Sequence, residues 1–366
     1  MINHSEIDRD GTLLTKDSGQ HGSRQPNRRR FLGTGFAAAT LFHRALKAED
    51  SAAVGTDSTK EDSGRTAQVA ITLDLEMSQN YPTWEQTHWN YEKGNLDAAT
   101  KEYAVEAARR VKAKGGRIHF FALGQTMEQE NVDWLLELIR EGHPVGNHTY
   151  DHVNLLATAP DQVQFRFRRA PWLMGGKSPQ TVIADNIRLA EEALQSRLGI
   201  RPRGFRTPGG FQNGLRDRPD LQKLLLDCGY QWVSSLYAGC STGQSGQPPG
   251  EDVLQSVVDA QAKSQPFVYP SGLIEIPMSP ISDVGAMRSG RWPLESFLEA
   301  TRRGLNWVID HQAVYDFLAH PSCLVVTDPE FRLIDLICET VASAGPERAR
   351  LADLDEISQR AVSPIQ

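Results

Sequence analysis

Two histidines four residues apart, His148 and His152 in the run His148-Thr149-Tyr150-Asp151-His152, are the side chains in this sequence best suited to chelation. Two neutral imidazoles on one side of a turn can share a divalent cation, and one carboxylate completes a set that leaves positions open. If the segment turns helically after the strand, this spacing puts both rings on one face, about 5–6 Å apart at Cβ. An HxxxH pair alone is common among structural histidines, but this one follows Pro144-Val145-Gly146-Asn147, a strand running into a loop. The carboxylate candidates lie in Ile71-Thr72-Leu73-Asp74-Leu75-Glu76. Side chains alternate along a strand, so Asp74 and Glu76 share one face and the leucines the other. An apolar strand ending in two same-side carboxylates is costly unless a cation joins them; a solvated acidic turn is the competing reading. Arg206, in Gly204-Phe205-Arg206-Thr207-Pro208-Gly209-Gly210, has a guanidinium that can pair with a carboxylate and hold it ionised. His320, in Phe317-Leu318-Ala319-His320-Pro321, closes a late apolar strand and becomes a general-acid candidate beside these other groups.

The elements that must position these residues follow from the hydrophobic pattern. Strands are expected at residues 69–74, 117–123, 144–148, 203–207, 231–235, 273–278 and 313–318. Helices are expected at residues 97–114, 132–140, 179–198, 221–227, 294–311 and 329–344, several of them stopped by glycine. About seven strands alternating with helices predict an α/β fold: an irregular barrel of parallel strands, TIM-like, or an open doubly wound sheet. Asp74, Glu76, His148, His152, Arg206 and His320 all fall at or just past the carboxyl ends of predicted strands, the rim where βα folds place their chemistry. The stretch 239–250, full of Gly, Ser, Gln and Pro, reads as a mobile surface loop.

Composition bounds the partners. The 366 residues carry 39% hydrophobic and 23% charged side chains, a globular composition rather than a disordered one. Residues 1–48 hold eight basic and four acidic residues, so the rest has a formal charge of −11. So acidic a body disfavours nucleic acid as a partner. The apolar run at residues 31–42 is too short to span a bilayer. Cys228, Cys240, Cys323 and Cys338 show neither CxxC spacing nor a disulfide framework.

Arg28-Arg29-Arg30-Phe31-Leu32, followed by a mild Gly- and Ala-rich run and then Ala45-Leu46-Lys47-Ala48, resembles a twin-arginine export signal. It implies an exported protein, periplasmic or extracellular, with no stable membrane insertion after export. Residues 1–48 are then the signal, 49–67 a flexible linker and 68–360 the catalytic domain. The motifs TLDLE, HTYDH, RTPGG and Leu-Ala-His-Pro resemble, in order and spacing, those of the polysaccharide deacetylases, carbohydrate esterase family 4. That resemblance implies an irregular barrel of seven or eight parallel strands. It also implies removal of N- or O-acetyl groups from chitin, peptidoglycan or xylan, and one divalent ion, zinc foremost with cobalt, nickel or manganese as alternatives. The family's first motif usually ends in consecutive aspartates; Leu75 occupies the second position here, as in a branch that uses Asp-x-Asp or Asp-x-Glu. By that likeness Asp74 is the base, Glu76, His148 and His152 are the metal ligands, and Arg206 and His320 complete the catalytic set. Val233 stands where relatives often carry an aspartate.

Two segments are expected to shape the cleft. Residues 81–95 contain Tyr81, Trp84, Trp89 and Tyr91, and Trp84 and Trp89, with Pro208, are the substrate-binding candidates. Residues 157–181 contain Phe165-Arg166-Phe167-Arg168-Arg169 and Trp172. Their aromatics suit either stacking on sugar faces or packing as a lid or subunit contact. Three functions remain open: a metal-dependent deacetylase of an acetylated glycan, a hydrolase of a small cyclic amide of allantoinase or imidase type, and a glycan-binding protein without turnover.

Overall fold

The apolar alternation of residues 67–75 is the feature around which the fold is built. In the computed structural model, which describes residues 66–77 and 93–361, this run is β1 (Ala67–Leu75), buried along its whole length. Its odd-numbered residues Val69, Ile71 and Leu73 join the core shared with the helices, while Thr72 and Asp74 reach partners on other strands across the interior. The segments expected to be the export signal and nearly all of the linker, together with Trp84 and Trp89, lie outside the described residues.

Eight further strands complete one sheet: β2 (Ile118–Ala122), β3 (Val145–Asn147), β4 (Gly204–Phe211), β5 (Trp232–Leu236), β6 (Phe267–Val268), β7 (Ile274–Glu275), β8 (Val314–Ala319) and β9 (Ala349–Leu351). Their order is β6-β7-β5-β4-β3-β2-β1-β8, with β9 beside the start of β1. Every pairing is parallel except β6 with β7. The sheet curls into a half-barrel with helices on its outside, the α/β architecture expected of βα repeats. Backbone and side chains bridge the seam between β7 and β8. Ser279 N–H donates to Asp316 O at 2.8 Å, and the Gln265 amide bonds Val314 N–H and Val314 O.

Helices lie close to where the pattern put them, with local reasons for each boundary. Ala98–Ala113 is capped by Asp97, whose carboxylate accepts Thr100 N–H at 2.8 Å. Pro179–Leu198 starts at a Ser178 cap with proline in its first turn and ends on Gly199 at φ 72°. Glu251–Lys263 was missed, because its starting signal is only Gly250 after a Pro-rich stretch. The expected strand at 273–278 is shorter, β7 plus one bridge between Tyr237 and Met278. The loop 239–250 is pinned rather than loose: Gly246 N–H donates to Gly290 O, and Trp292 Nε1 donates to Thr242 O at 2.8 Å.

Close approaches inside the barrel require glycine. A Cβ on Gly204 would sit 1.9 Å from the Trp232 ring, so Trp232 fills the amino-terminal end of the barrel only because β4 begins on glycine. The terminal helix Leu354–Ala361 adds Leu354 and Ile357 to that plug, with Phe121 and Ile276 above. The four cysteines are free thiols.

Candidate metal centre and cleft

At the carboxyl ends of the strands the interior changes from apolar to ionic. Arg206, fully buried on β4, is the hub. One guanidinium nitrogen donates to Thr72 Oγ1 at 2.7 Å and to Asp74 Oδ1 at 3.1 Å. The other donates to Asp316 Oδ2 at 2.5 Å and Ser234 Oγ at 3.1 Å, and the group stacks 4.3 Å above the Phe121 ring. One cation thus holds two carboxylates from neighbouring strands β1 and β8. Burial pushes the Asp316 carboxyl up to about 6 although Arg206 opposes it. Arg206 lies beneath the cleft and acts on it through Asp74, so it is a positioning residue.

Above this layer, β1 ends at Leu75 and the chain bends. Glu76 is therefore one residue past the strand, yet it reaches the interior: its N–H donates to Asp74 O at 3.0 Å and its carbonyl accepts Ser322 Oγ at 2.7 Å. Its carboxylate meets four nitrogens. Lys93 Nζ lies 2.5 Å from Oε1, His320 Nε2 lies 3.6 Å from Oε1, His152 Nε2 lies 2.7 Å from Oε2, and His148 Nε2 lies 3.7 Å from Oε2. The His152 approach is not an aligned hydrogen bond, and buried Oε2 accepts none. Burial alone would raise the Glu76 carboxyl, but His152, Lys93 and His320 outweigh it and hold it well below the usual carboxylate range.

The histidine pair does not sit on a helix, so the condition of the spacing argument is not met. Residues 148–152 form a tight loop in which Thr149 (φ 65°) and His152 (φ 60°) are left-handed. Polar side chains over-determine it. Asn147 Oδ1 accepts Thr149 N–H at 2.7 Å, Asn186 Oδ1 accepts the N–H groups of Tyr150 and Asp151, and Thr149 Oγ1 accepts Val153 N–H. The rings nonetheless end up 5.1 Å apart between centroids. His148 Nδ1 lies 2.9 Å from Arg206 O, a contact that fixes the proton on Nδ1 and turns the Nε2 lone pair toward Glu76. Burial lowers both rings, His152 to about 4, so both are neutral at pH 7. Donor atoms of Glu76, His148 and His152 all lie within 4.8 Å of one another. An ionised carboxylate with an unbonded oxygen facing two neutral imidazoles fits a divalent cation.

His320 stands opposite. Its Nδ1 lies 2.9 Å from Asp283 Oδ1, and its backbone N–H donates to Asp283 Oδ2 at 2.8 Å. Burial works against the imidazolium, but Asp283, then Glu76 and Asp74, carry it up to about 9, leaving the ring charged at neutral pH. These groups open on a cavity of about 500 Å³ whose walls include Pro208, Phe165, Tyr237 and Arg288. Of the aromatics expected near the cleft, Phe165 lines it, Phe167 is buried and Trp172 is 75% exposed.

Sequence reasoning missed Asp316, Asp283 and Lys93. Asp316 was legible by parity, since it shares a strand face with His320 four residues on. Asp283 caps the short π-helical turn Val284–Ser289 and Lys93 lies in a turn, neither carrying a periodic signal. A second cluster, His119 with Asp353 and Asp355, sits at the opposite end of the barrel. Its carboxylates are engaged: Asp353 by Arg117 at 2.8 Å and Asp355 by Trp232 Nε1 at 2.8 Å.

The model of the polysaccharide deacetylase family matches residues 91–232, a stretch that includes His148, His152 and Arg206. No curated protein sequence matches the chain. Among solved structures, the fold is similar to that of a protein assigned to the polysaccharide deacetylases from Mycobacterium smegmatis, with 18% identity and a TM-score of 0.52 over 83% of this chain and 92% of that one. It is also similar to one from Pseudomonas aeruginosa PAO1 so assigned, with 12% identity and a TM-score of 0.55 over 82% and 92%. Puue allantoinase is similar at 12% identity and a TM-score of 0.53, again over 82% and 92%. At these identities the likeness is one of fold, and the family match extends over residues 91–232 of the chain.

Proposed function

We propose that this protein is a divalent-metal-dependent hydrolase that removes acetyl groups, N-acetyl foremost, from a polysaccharide or peptidoglycan glycan. The observation that carries this reading is the meeting of Glu76 Oε2 with the Nε2 atoms of His148 and His152, across from an imidazolium at His320. The matched deacetylase segment supports it. An ion held by Glu76, His148 and His152, zinc first among the candidates, would make a water more acidic and draw electron density from the acyl carbonyl.

The chain's own groups then have distinct tasks. Asp74 Oδ1 is tied to Arg206 while Oδ2 faces His148 Nε2 at 3.7 Å, so one oxygen is anchored and the other is directed into the cavity. Asp74 takes the proton of the attacking water through that free oxygen. His320 carries its proton on the cleft side at Nε2, because Nδ1 is bonded to Asp283, and delivers it to the departing amine or alcohol. Pro208 shapes the cavity wall near the acyl group. The resemblance of residues 28–42 to a twin-arginine signal supports export to the periplasm or beyond.

The fold shared with Puue allantoinase favours a second reading, opening of a small cyclic amide by the same residues. Acetate release from chitin oligomers or peptidoglycan, measured with and without chelator, tests the first. Hydrolysis of a cyclic amide without acetate release would favour the second, and binding without turnover would contradict both.

A further inference from the structure

The cation nearest Glu76 is one the protein supplies itself. Lys93 Nζ lies 2.5 Å from Glu76 Oε1 and 3.4 Å from His152 Nε2, with the residue only 8% exposed. Its backbone is held from both sides. Lys93 O accepts Met77 N–H at 2.8 Å, and the next residue, Gly94, donates to Gln125 Oε1 at 3.1 Å. A Cβ on Gly94 would lie 2.7 Å from Gln125 Cβ, so only glycine lets the chain come this close. The lysine is built into the centre, on the same carboxylate that the two imidazoles face.

We propose that Lys93 is a resident counter-ion of Glu76 that keeps Oε1 for itself, restricts a bound ion to Oε2, and thereby holds the ion's affinity down. This rests on the metal-binding reading above. Three features fit it. The carboxylate oxygens are divided, with Oε1 on Lys93 and Oε2 unbonded toward the imidazoles. A two-oxygen grip would require the buried ammonium to leave Oε1. An ion about 2 Å from His152 Nε2 would lie within a few ångströms of the ammonium, where like charges repel strongly in a buried site.

The test is calorimetric titration of Zn²⁺ into the full-length protein, stripped with chelator and dialysed, for the wild type, Lys93→Met and Lys93→Arg. Thermal melts in parallel show that each variant is folded. Lys93→Met is expected to bind Zn²⁺ at least tenfold more tightly, and Lys93→Arg to stay within threefold of the wild type. Saturable binding by Lys93→Met alone overturns the proposal together with the metal reading of the wild type, since an ammonium that excludes the ion outright leaves no bound ion to restrict to Oε2. Equal or weaker binding by a folded Lys93→Met overturns the role of Lys93 while leaving the metal reading intact. Absence of binding in every protein overturns both.

Discussion

Asp283 holds His320 by two separate bonds, one oxygen 2.9 Å from Nδ1 and the other accepting the residue's own backbone N–H at 2.8 Å. The carboxylate thus fixes the ring's position, its tautomer and its charge together. Titration of the chelator-treated protein by NMR should find the His320 midpoint near 9. Asp283→Asn should lower it by more than one unit; an unchanged midpoint would show that Asp283 does not govern the ring.

The same shift sets a stability profile. The folded-state value of about 9 exceeds the ordinary 6.5, so the stabilisation is complete below pH 6.5 and is lost as pH rises through 9. The size is roughly 3 kcal/mol at full effect. Urea unfolding of the metal-free protein at pH 6 and pH 9.5 should show that loss, and His320→Gln should flatten most of it.

Arg206 carries two carboxylates, Asp74 and Asp316, with no solvent to replace it. Arg206→Met should destabilise the fold by about 3–5 kcal/mol, since it strands buried charge. Denaturant titration measures this. A loss under 1 kcal/mol would mean that Arg206 does not offset buried charge.

Asp74→Asn keeps the side chain's shape and removes the proton acceptor. Turnover should fall by about 10²–10⁴ while Zn²⁺ affinity stays within a few-fold. Parallel kinetics and calorimetry decide the matter, and loss of the ion with the carboxylate would show that Asp74 and Glu76 have exchanged roles.

How much of this was legible in the sequence depended on whether a signal was periodic. Parity along β1 found Asp74, and the helix Pro179–Leu198, closed by Gly199, was delimited to the residue. The convergence of Glu76, His148 and His152 was expected, but not by the route taken. The spacing argument brought the rings together on the condition of a helical turn, whereas Asn147 and Asn186 hold two left-handed residues there, which spacing alone cannot encode. Parity reached Glu76 although β1 stops at Leu75, because the bend after it preserves the direction. Asp283, the cap of a short π-helical turn, and Lys93, in a turn, carry no periodic signal, and only the folded barrel brings them to His320 and Glu76.

Anomalous diffraction from crystals of the protein soaked in Zn²⁺ bears most directly on the central claim. The account predicts one strong peak about 2.0–2.2 Å from Glu76 Oε2, His148 Nε2 and His152 Nε2, with Asp74 outside bonding distance. A peak bonded to Asp74 in place of Glu76, or none among these side chains at saturating zinc, would contradict it.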